Sequence, residues 1–578
     1  MSRRFLVTAG LPYSNGRLHV GHVAGAYLPA DTYVRYLRML GDDVRFICGS
    51  DDNGVAALRS ARDEGRPVEE LTAHYNRSQH SAFEKLGVHF DVYGGTHQPG
   101  YVQRHEQLSQ EFFLKIHEKG FFNKRASKQL FDAQAGQFLP DRFVTGICHY
   151  PDCGKPGAYG DQCEACGRSI EPLQLKEPKS VLTGTRPEPR DTVHWYLRLD
   201  QLGPRLGEWL RGKQQAGPQG PAWRSTVLNF ALGQVGVGLP ERAMTRDLTW
   251  GVPLPLDDPD AKGKTLYVWF DAPIGYVSFT AQLCEQRGEG WQAYADWWRN
   301  PDNRIVHFIG EDNTVFHALT WPAMLLATHD STSIQGERGE LQLPAQVVAN
   351  AFLNERGPGG EMLKLSKSRM GDDSPLWLEE FLKRYDPDPL RYYLTSIAPE
   401  NQRGAFEMSE FVARNNDELI ATLGNFINRW QKIATEDFQR RVPDPASAGS
   451  EEKTLLGELR TLPGLVGDDI EGFRFKFALN RVMEGFRACN RYVESRAPWK
   501  QRKSDMAACA ATIHTCVQAA RTLATVMTPV LPFAGAKVRE SLGIPEGEWS
   551  WGNAMTPLPP GHALGPQPAV LFQKIEIV

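Results

Sequence analysis

Two short stretches about 340 residues apart carry side chains suited to one chemistry: His19-Val20-Gly21-His22 and Lys364-Leu365-Ser366-Lys367-Ser368. Histidines three apart on a helix lie on adjacent turns of one face, and Gly21 between them leaves the backbone open to a ligand. Amides at a helix N-terminus add positive potential, so phosphate is a natural guest there. Gly357, Gly359 and Gly360 precede the lysines and describe a loop able to close over a nucleotide. Two imidazoles and two ammonium groups can clamp one polyphosphate from two sides, which points to an ATP-consuming adenylyl transfer. Taken singly, an H-x-x-H pair is more often packed or solvated, and a lysine pair is more often solvated charge. Their combination, with the histidines following a first strand, favours the clamp.

A second constellation is Cys148-x4-Cys153 followed, after nine residues, by Cys163-x2-Cys166. Four thiolates at these spacings suit one structural Zn2+, and each pair is followed by the glycine that a knuckle turn needs, Gly154 and Gly167. Four protein ligands leave no open position, so the ion would be structural rather than catalytic. His149 is a secondary candidate ligand, and ordinary free thiols are the bland alternative.

The elements that must hold these groups are partly legible. Arg4 to Ala9 reads as a strand, Leu11 to Leu18 as a loop, His19 to Leu40 as a helix kinked at Pro29 and ended by Gly41, and Val44 to Cys48 as the next strand. Strand, helix, strand is the unit of a parallel doubly wound sheet that binds nucleotide at its carboxyl edge. Glycine, proline and the cysteine cluster break that rhythm from about 115 to 245, which indicates an inserted lobe. Trp269 to Gly275 and Ile305 to Gly310 resume strand-like runs. Beyond Pro399 long helical periods appear, among them Phe411 to Trp430, Phe473 to Arg491 and Met506 to Met527.

The 578 residues exceed what one core usually supports, so about four domains is a fair prior. A composition that is 41% hydrophobic and 23% charged is that of a soluble enzyme, without low-complexity tracts. Leu523 to Ala536 is too short and too broken to span a bilayer, so no membrane association is expected. Nine cysteines, an odd number with four crowded together, fit metal ligation in a reducing cytoplasm better than a secreted disulfide framework. A net charge of −4 excludes a wholly nucleic-acid-coated surface and confines any such contact to local patches.

H-V-G-H and K-L-S-K-S resemble the HIGH and KMSKS signatures of class I aminoacyl-tRNA synthetases. Leu11-Pro12-Tyr13, Gly49-Ser50-Asp51, Arg246-Asp247, Val268 to Tyr276 (VWFDAPIGY) and Phe316-His317 resemble the methionyl-tRNA synthetase family within that class. The resemblance runs almost end to end. It implies an α/β fold: a Rossmann-like parallel-sheet catalytic domain in two halves (1–115 and 246–345), a zinc-binding connective insertion (116–245), a linker fold with the lysine loop (346–401) and a C-terminal α-helical bundle for the anticodon (402–578). It implies a methionine–tRNA ligase that activates L-methionine with ATP and Mg2+ and loads tRNA(Met), including the initiator. A cytoplasmic monomer is the implied state.

On the same resemblance, His19, His22, Lys364 and Lys367 are catalytic, and with Gly21, Gly310 and Asp312 they bind ATP. Asp51 holds the substrate ammonium, while Leu11, Tyr13, Trp269, Ala272, Pro273, Tyr276 and His317 line an apolar cavity for the thioether. Arg246 and Asp312 are the partners that organise Asp51 and the ribose side of the site. Asn425, Arg429, Asn490 and Trp499 read the anticodon, with Lys500, Arg502 and Lys503 beside the tryptophan for phosphates. Three positions depart from the family pattern: Asn53 replaces a histidine, Glu311 a lysine and Asn313 an isoleucine, which unsettles the polar contacts of the pocket. The rivals are a sister class I synthetase and a non-catalytic tRNA-binding protein of the same fold.

Overall fold

Five parallel strands form the central sheet: β1 (Arg4–Ala9), β2 (Asp43–Ser50), β3 (Val92–Gly95), β4 (Arg304–Gly310) and β5 (Gln346–Asn350). Their order is β5-β4-β1-β2-β3, with Val7 opposite both Val306 and Phe46 in the register of the three central strands. The chain reverses its direction of travel across the sheet at the β1/β4 seam, and a ligand crevice opens there above the carboxyl ends. This computed structural model describes residues 2–576 except 141–142, 161–162, 164, 167, 169, 335, 358, 366–368, 372, 446–448 and 567–569. Lys367 lies outside the described residues.

After β1 the chain turns into a helix at Val20, widens into a π-helical turn over Val23–Tyr27 and continues as α1 (Leu28–Leu40) to Gly41, whose φ of 85° suits glycine. A prolyl ring collides with the carbonyl a turn earlier; the π-turn just ahead of Pro29 absorbs that conflict where the sequence suggests a kink. The run from Trp269 to Gly275 is not a strand. It lies inside α2 (Val268–Gln286), whose residues from Phe270 to Ala281 are all buried. A helix covered on every side shows no apolar stripe, so its period is invisible and its aromatic residues mimic a strand.

Between β3 and α2 the insertion is built on a long antiparallel pair, Phe122–Asp132 with Glu188–Leu197. A smaller sheet, Val144–Ile147 between Pro156–Tyr159 and Lys176–Ser180, accompanies the cysteines. Following β5, the strands Leu353–Arg356, Met362–Leu363 and Gly404–Phe406 make a small sheet that leads into the helices, of which α3 (Phe475–Arg496) is one of the two longest. One hydrophobic cluster runs from Val7 and Tyr33 through Tyr393 and Phe411 to Phe486 and Leu523. Arg391, fully buried, pairs with Asp31 of α1 at 2.5 Å and donates to the carbonyls of Pro529 and Val530, fixing the bundle to the helix that begins with the histidines.

Candidate adenylation site

The loop leaving β1 is laced to the end of β2. Asp51 N–H donates to the Pro12 carbonyl at 2.9 Å, and Ser14 N–H donates to the Asp51 carbonyl at 3.0 Å. Leu11 and Tyr13 are thereby fixed beside the Asp51 side chain. That carboxylate is 3% exposed and its Oδ1 has no hydrogen-bond partner. Burial, with Asp271 and Asp52 nearby, holds its pKa well above the usual carboxylate range.

Around it, Trp269 stacks on Phe316 with ring centroids 3.6 Å apart and meets Tyr13 edge-on at 6.4 Å. Ala272, Pro273 and Tyr276 are buried on α2, and a Cβ on Gly275 would lie 3.0 Å from the Leu11 side chain. His317 Nδ1 faces the Asn313 carbonyl at 3.2 Å, and because a carbonyl can only accept, that nitrogen carries the ring proton. Its Nε2 then accepts from the Tyr276 hydroxyl at 2.9 Å. Burial lowers the His317 pKa to about 4, so at neutral pH the pocket wall is uncharged.

His19 and His22 stack with centroids 3.6 Å apart. His22 N–H donates to His19 Nδ1 at 3.3 Å, and His19 N–H donates to His22 Nδ1 at 3.2 Å. The neutral rings therefore carry their protons on Nε2, leaving two N–H donors for a ligand. Burial, with His22 alongside, pushes His19 well below its ordinary pKa, and the protein packed around the more exposed His22 ring lowers it too. These are neutral donors at pH 7. The segment after the lysine loop is stitched to them: Val20 N–H donates to the Leu376 carbonyl at 3.1 Å and Leu378 N–H to the Leu18 carbonyl at 2.8 Å. A Cβ at Gly21 would sit 3.0 Å from both His19 Nδ1 and Leu365 Cδ1, so the glycine lets the two signatures touch.

At the mouth, Lys364 Nζ lies 5.5 Å from the centre of the Phe352 ring, and its charge acts on Asp312, whose pKa burial raises. A Cβ on Gly310 would fall 2.7 Å from Asp312 Oδ1, so that carboxylate folds over the end of β4. Glu311 pairs with Arg403 at 2.9 Å. Arg246 does not reach Asp51. Its guanidinium lies 3.8 Å from the Tyr267 ring centre and donates to the Ala243 and Thr245 carbonyls. A buried Arg–Asp pair would have needed further donors and acceptors to offset desolvation, and here backbone carbonyls and an aromatic face hold the cation instead.

The sulfur atoms of Cys148, Cys153, Cys163 and Cys166 all lie within 4.8 Å of one another, with Cys148–Cys166 at 4.0 Å and Cys153–Cys163 at 3.8 Å. Tetrahedral ligands at about 2.3 Å from one ion are about 3.8 Å apart, so the four thiols are close enough to converge on one such ion.

Residues 5–431 match the family described as tRNA synthetases class I (M), and residues 442–577 match the anticodon binding domain of methionyl tRNA ligase. The methionine–tRNA ligase of Salinibacter ruber is 41% identical over all of this chain and 80% of its own length; that of Bacteroides fragilis is 39% identical over 99% and 79%. The chain belongs to the methionyl-tRNA synthetases. Its fold is similar to that of the Mycobacterium tuberculosis methionyl-tRNA synthetase solved with methionyl-adenylate, with a TM-score of 0.76 at 23% identity over 99% of this chain and all of that one.

Where the last helix of the matched synthetase region meets the region that matches the anticodon binding domain, Arg429 lies 5.5 Å from the Trp499 ring centre and pairs with Glu494, while Trp499 is 38% exposed. Asn425 lines a neighbouring hollow of about 330 Å³ with Gln431 and Phe572. Asn490 spends its amide protons on the carbonyls of Thr422, at 2.8 Å, and Phe486, at 3.2 Å, tying two helices together. Arg502 is engaged by Glu436 and Asp437.

Sequence reasoning did not single out Phe316 as a stacking partner, Trp377 beside His19, or His97 and His105, which join Asn53 and Asp271 in a polar group. Phe316 had a signal in its place beside His317. The others come from distant segments with no common spacing.

Proposed function

We propose that the chain joins methionine to ATP, forming methionyl-adenylate and pyrophosphate, and then transfers the methionyl group to the terminal ribose of tRNA(Met). The observation that carries this reading is the contact between the two signatures at Gly21, where an imidazole pair and the lysine-bearing segment meet at the carboxyl edge of a parallel sheet. The methionine carboxylate attacks the α-phosphorus in line; a carboxylate–phosphorus bond forms, the bond to the bridging oxygen breaks, and pyrophosphate leaves. No protein nucleophile is required. His19 and His22 orient phosphate oxygens as neutral donors, Lys364 and Lys367 meet the charge of the leaving pyrophosphate, and Gly310 and Asp312 border the nucleotide. Asp51 receives the ammonium beneath Tyr13 and Trp269, and His317 with Tyr276 closes the thioether end.

Mg2+ bound to the triphosphate supplies charge neutralisation as a Lewis acid. Zn2+ held by the four cysteines shapes the insertion and takes no part in the chemistry. Trp499, Asn425 and Arg429 offer a stacking face and base-edge partners for the anticodon. No helix among the described residues is long and apolar enough to cross a membrane. The test is methionine-dependent exchange of labelled pyrophosphate into ATP. A protein that exchanges with methionine but not with leucine, isoleucine or cysteine supports the reading, and a silent protein overturns it.

A further inference from the structure

The π-helical turn directly behind the histidines lacks one of its own hydrogen-bond donors. In the turn Val23–Tyr27, Leu28 N–H donates to the Val23 carbonyl five residues back. The N–H in register for the Ala24 carbonyl is then that of residue 29, which is proline and has none. Ala24 is buried, and a carbonyl left unmatched away from water is costly.

The missing donor comes from the edge strand of the sheet. Asn350, the last residue of β5, is buried, and its Nδ2 donates to the Ala24 carbonyl at 3.3 Å. The amide cannot be reversed, because its Oδ1 accepts from Arg224 Nη1 at 2.5 Å and a guanidinium only donates. Arg224 itself is anchored by the carbonyls of Ala349 and Glu400, both at 3.0 Å, and of Phe473, just ahead of α3, at 2.5 Å. The insertion, the end of β5, the linker fold and the bundle therefore meet at the side chain that orients Asn350.

We propose that Asn350 is a positioning residue for adenylate formation, holding the turn after His22 through the hydrogen bond that Pro29 withholds, with Arg224 fixing which end of its amide faces the turn. This rests on the adenylation reading of the site. The opposite side of the same turn is held by Tyr27, whose hydroxyl donates to the Gly10 carbonyl at 2.9 Å. The turn is thus tied to the ends of β1 and β5, on the two sides of β4. Without the Asn350 donor the Ala24 carbonyl, two residues after His22, must tilt to find another partner. The histidine pair, fixed to each other by backbone N–H donation, tilts with it.

The experiment measures kcat and KM for methionine-dependent pyrophosphate exchange in the native chain, Asn350→Ala and Asn350→Asp, per active site counted by the burst of adenylate formation. Aspartate keeps the shape of asparagine and its bond from Arg224, and that cation holds it ionised, but it turns an acceptor toward the Ala24 carbonyl. Asn350→Asp should therefore lower kcat about tenfold or more, as for a displacement of about half an ångström in a positioned group, and Asn350→Ala less, with KM for both substrates within about twofold of native. A merely structural role, in filling space and seating Arg224, gives the reverse order, with aspartate the better tolerated. That reverse order, or kcat for Asn350→Asp within twofold of native, overturns the inference. If Asn350→Asp does not fold, Asn350→Ala and Arg224→Met decide, and kcat for both within twofold of native overturns it. A native protein silent in exchange overturns the activity reading instead.

Discussion

Gly21→Ala separates the site from the scaffold. Gly21 has a helical φ, so alanine there meets no backbone strain and should favour the first helical turn by about 0.5 kcal/mol, less than the roughly 1 kcal/mol of a helix interior. The new methyl would stand 3.0 Å from His19 Nδ1, 3.1 Å from His19 Cε1 and 3.0 Å from Leu365 Cδ1. Ordinary carbon contacts begin near 3.5 Å, so the imidazole or the leucine must retreat by about half an ångström. The ring cannot move toward His22, already stacked at 3.6 Å, without compressing that contact, and tilting away breaks its 3.3 Å bond from His22 N–H. Because a displacement of about 1 Å in a positioned group costs roughly a hundredfold, half of that predicts a tenfold or greater loss in kcat for pyrophosphate exchange. Thermal unfolding should show an unchanged or slightly higher midpoint. Exchange within twofold of native would refute the claim that the glycine seats the lysine-bearing segment against His19.

Tyr276→Phe removes the one donor to His317 Nε2 inside a buried wall, and leaving that acceptor unmatched should cost about 1–3 kcal/mol, read as a rise in KM for methionine with kcat for exchange less affected. Trp499→Ala should leave pyrophosphate exchange intact and lower kcat/KM for tRNA charging by the worth of one stacked base, about 1–3 kcal/mol; loss of exchange would show that the tryptophan serves the adenylation site instead. Metal analysis should find one zinc per chain, and Cys148→Ser should lose it and render the 144–180 region protease-sensitive while the far-ultraviolet signal of the helices persists; full zinc retention would remove Cys148 from the ligand set.

Legibility followed the strength of local pattern. β1 and the helix Met506–Met527 have the bounds that their apolar runs indicate, and Gly41 ends its helix as a left-handed cap should. α2 was illegible as a helix for the opposite reason, burial on every face, although its VWFDAPIGY run was the most telling stretch for the pocket. Paired elements separated by long chain are harder still. Glu311, a lysine position in the family pattern, reads alone as an added negative charge near the nucleotide, but Arg403, 92 residues on, offsets it. Asn53 likewise reads as a loss until Asp271, 218 residues away, accepts its amide proton. Such partners are set by which strand ends share a crevice, and no spacing records that.

The charge arrangement gives the proposed reaction a reason to use both histidines and lysines. Two imidazolium rings stacked at 3.6 Å would repel by about 4–5 kcal/mol at an effective dielectric near 20, and the burial of His19 adds to that cost. The pair is therefore stable only as neutral donors, each fixed by a backbone N–H on Nδ1, able to orient phosphate oxygens before reaction but weak at absorbing new charge. Negative charge grows on the departing pyrophosphate, and full positive charges must come from elsewhere. In the proposed reaction Lys364 would supply one from a segment whose continuation is hydrogen-bonded to Leu18 and Val20, so orientation and charge compensation would reside on separate elements joined at the glycine between the histidines. Changes that loosen this joint should therefore slow the chemical step more than they weaken binding of either substrate.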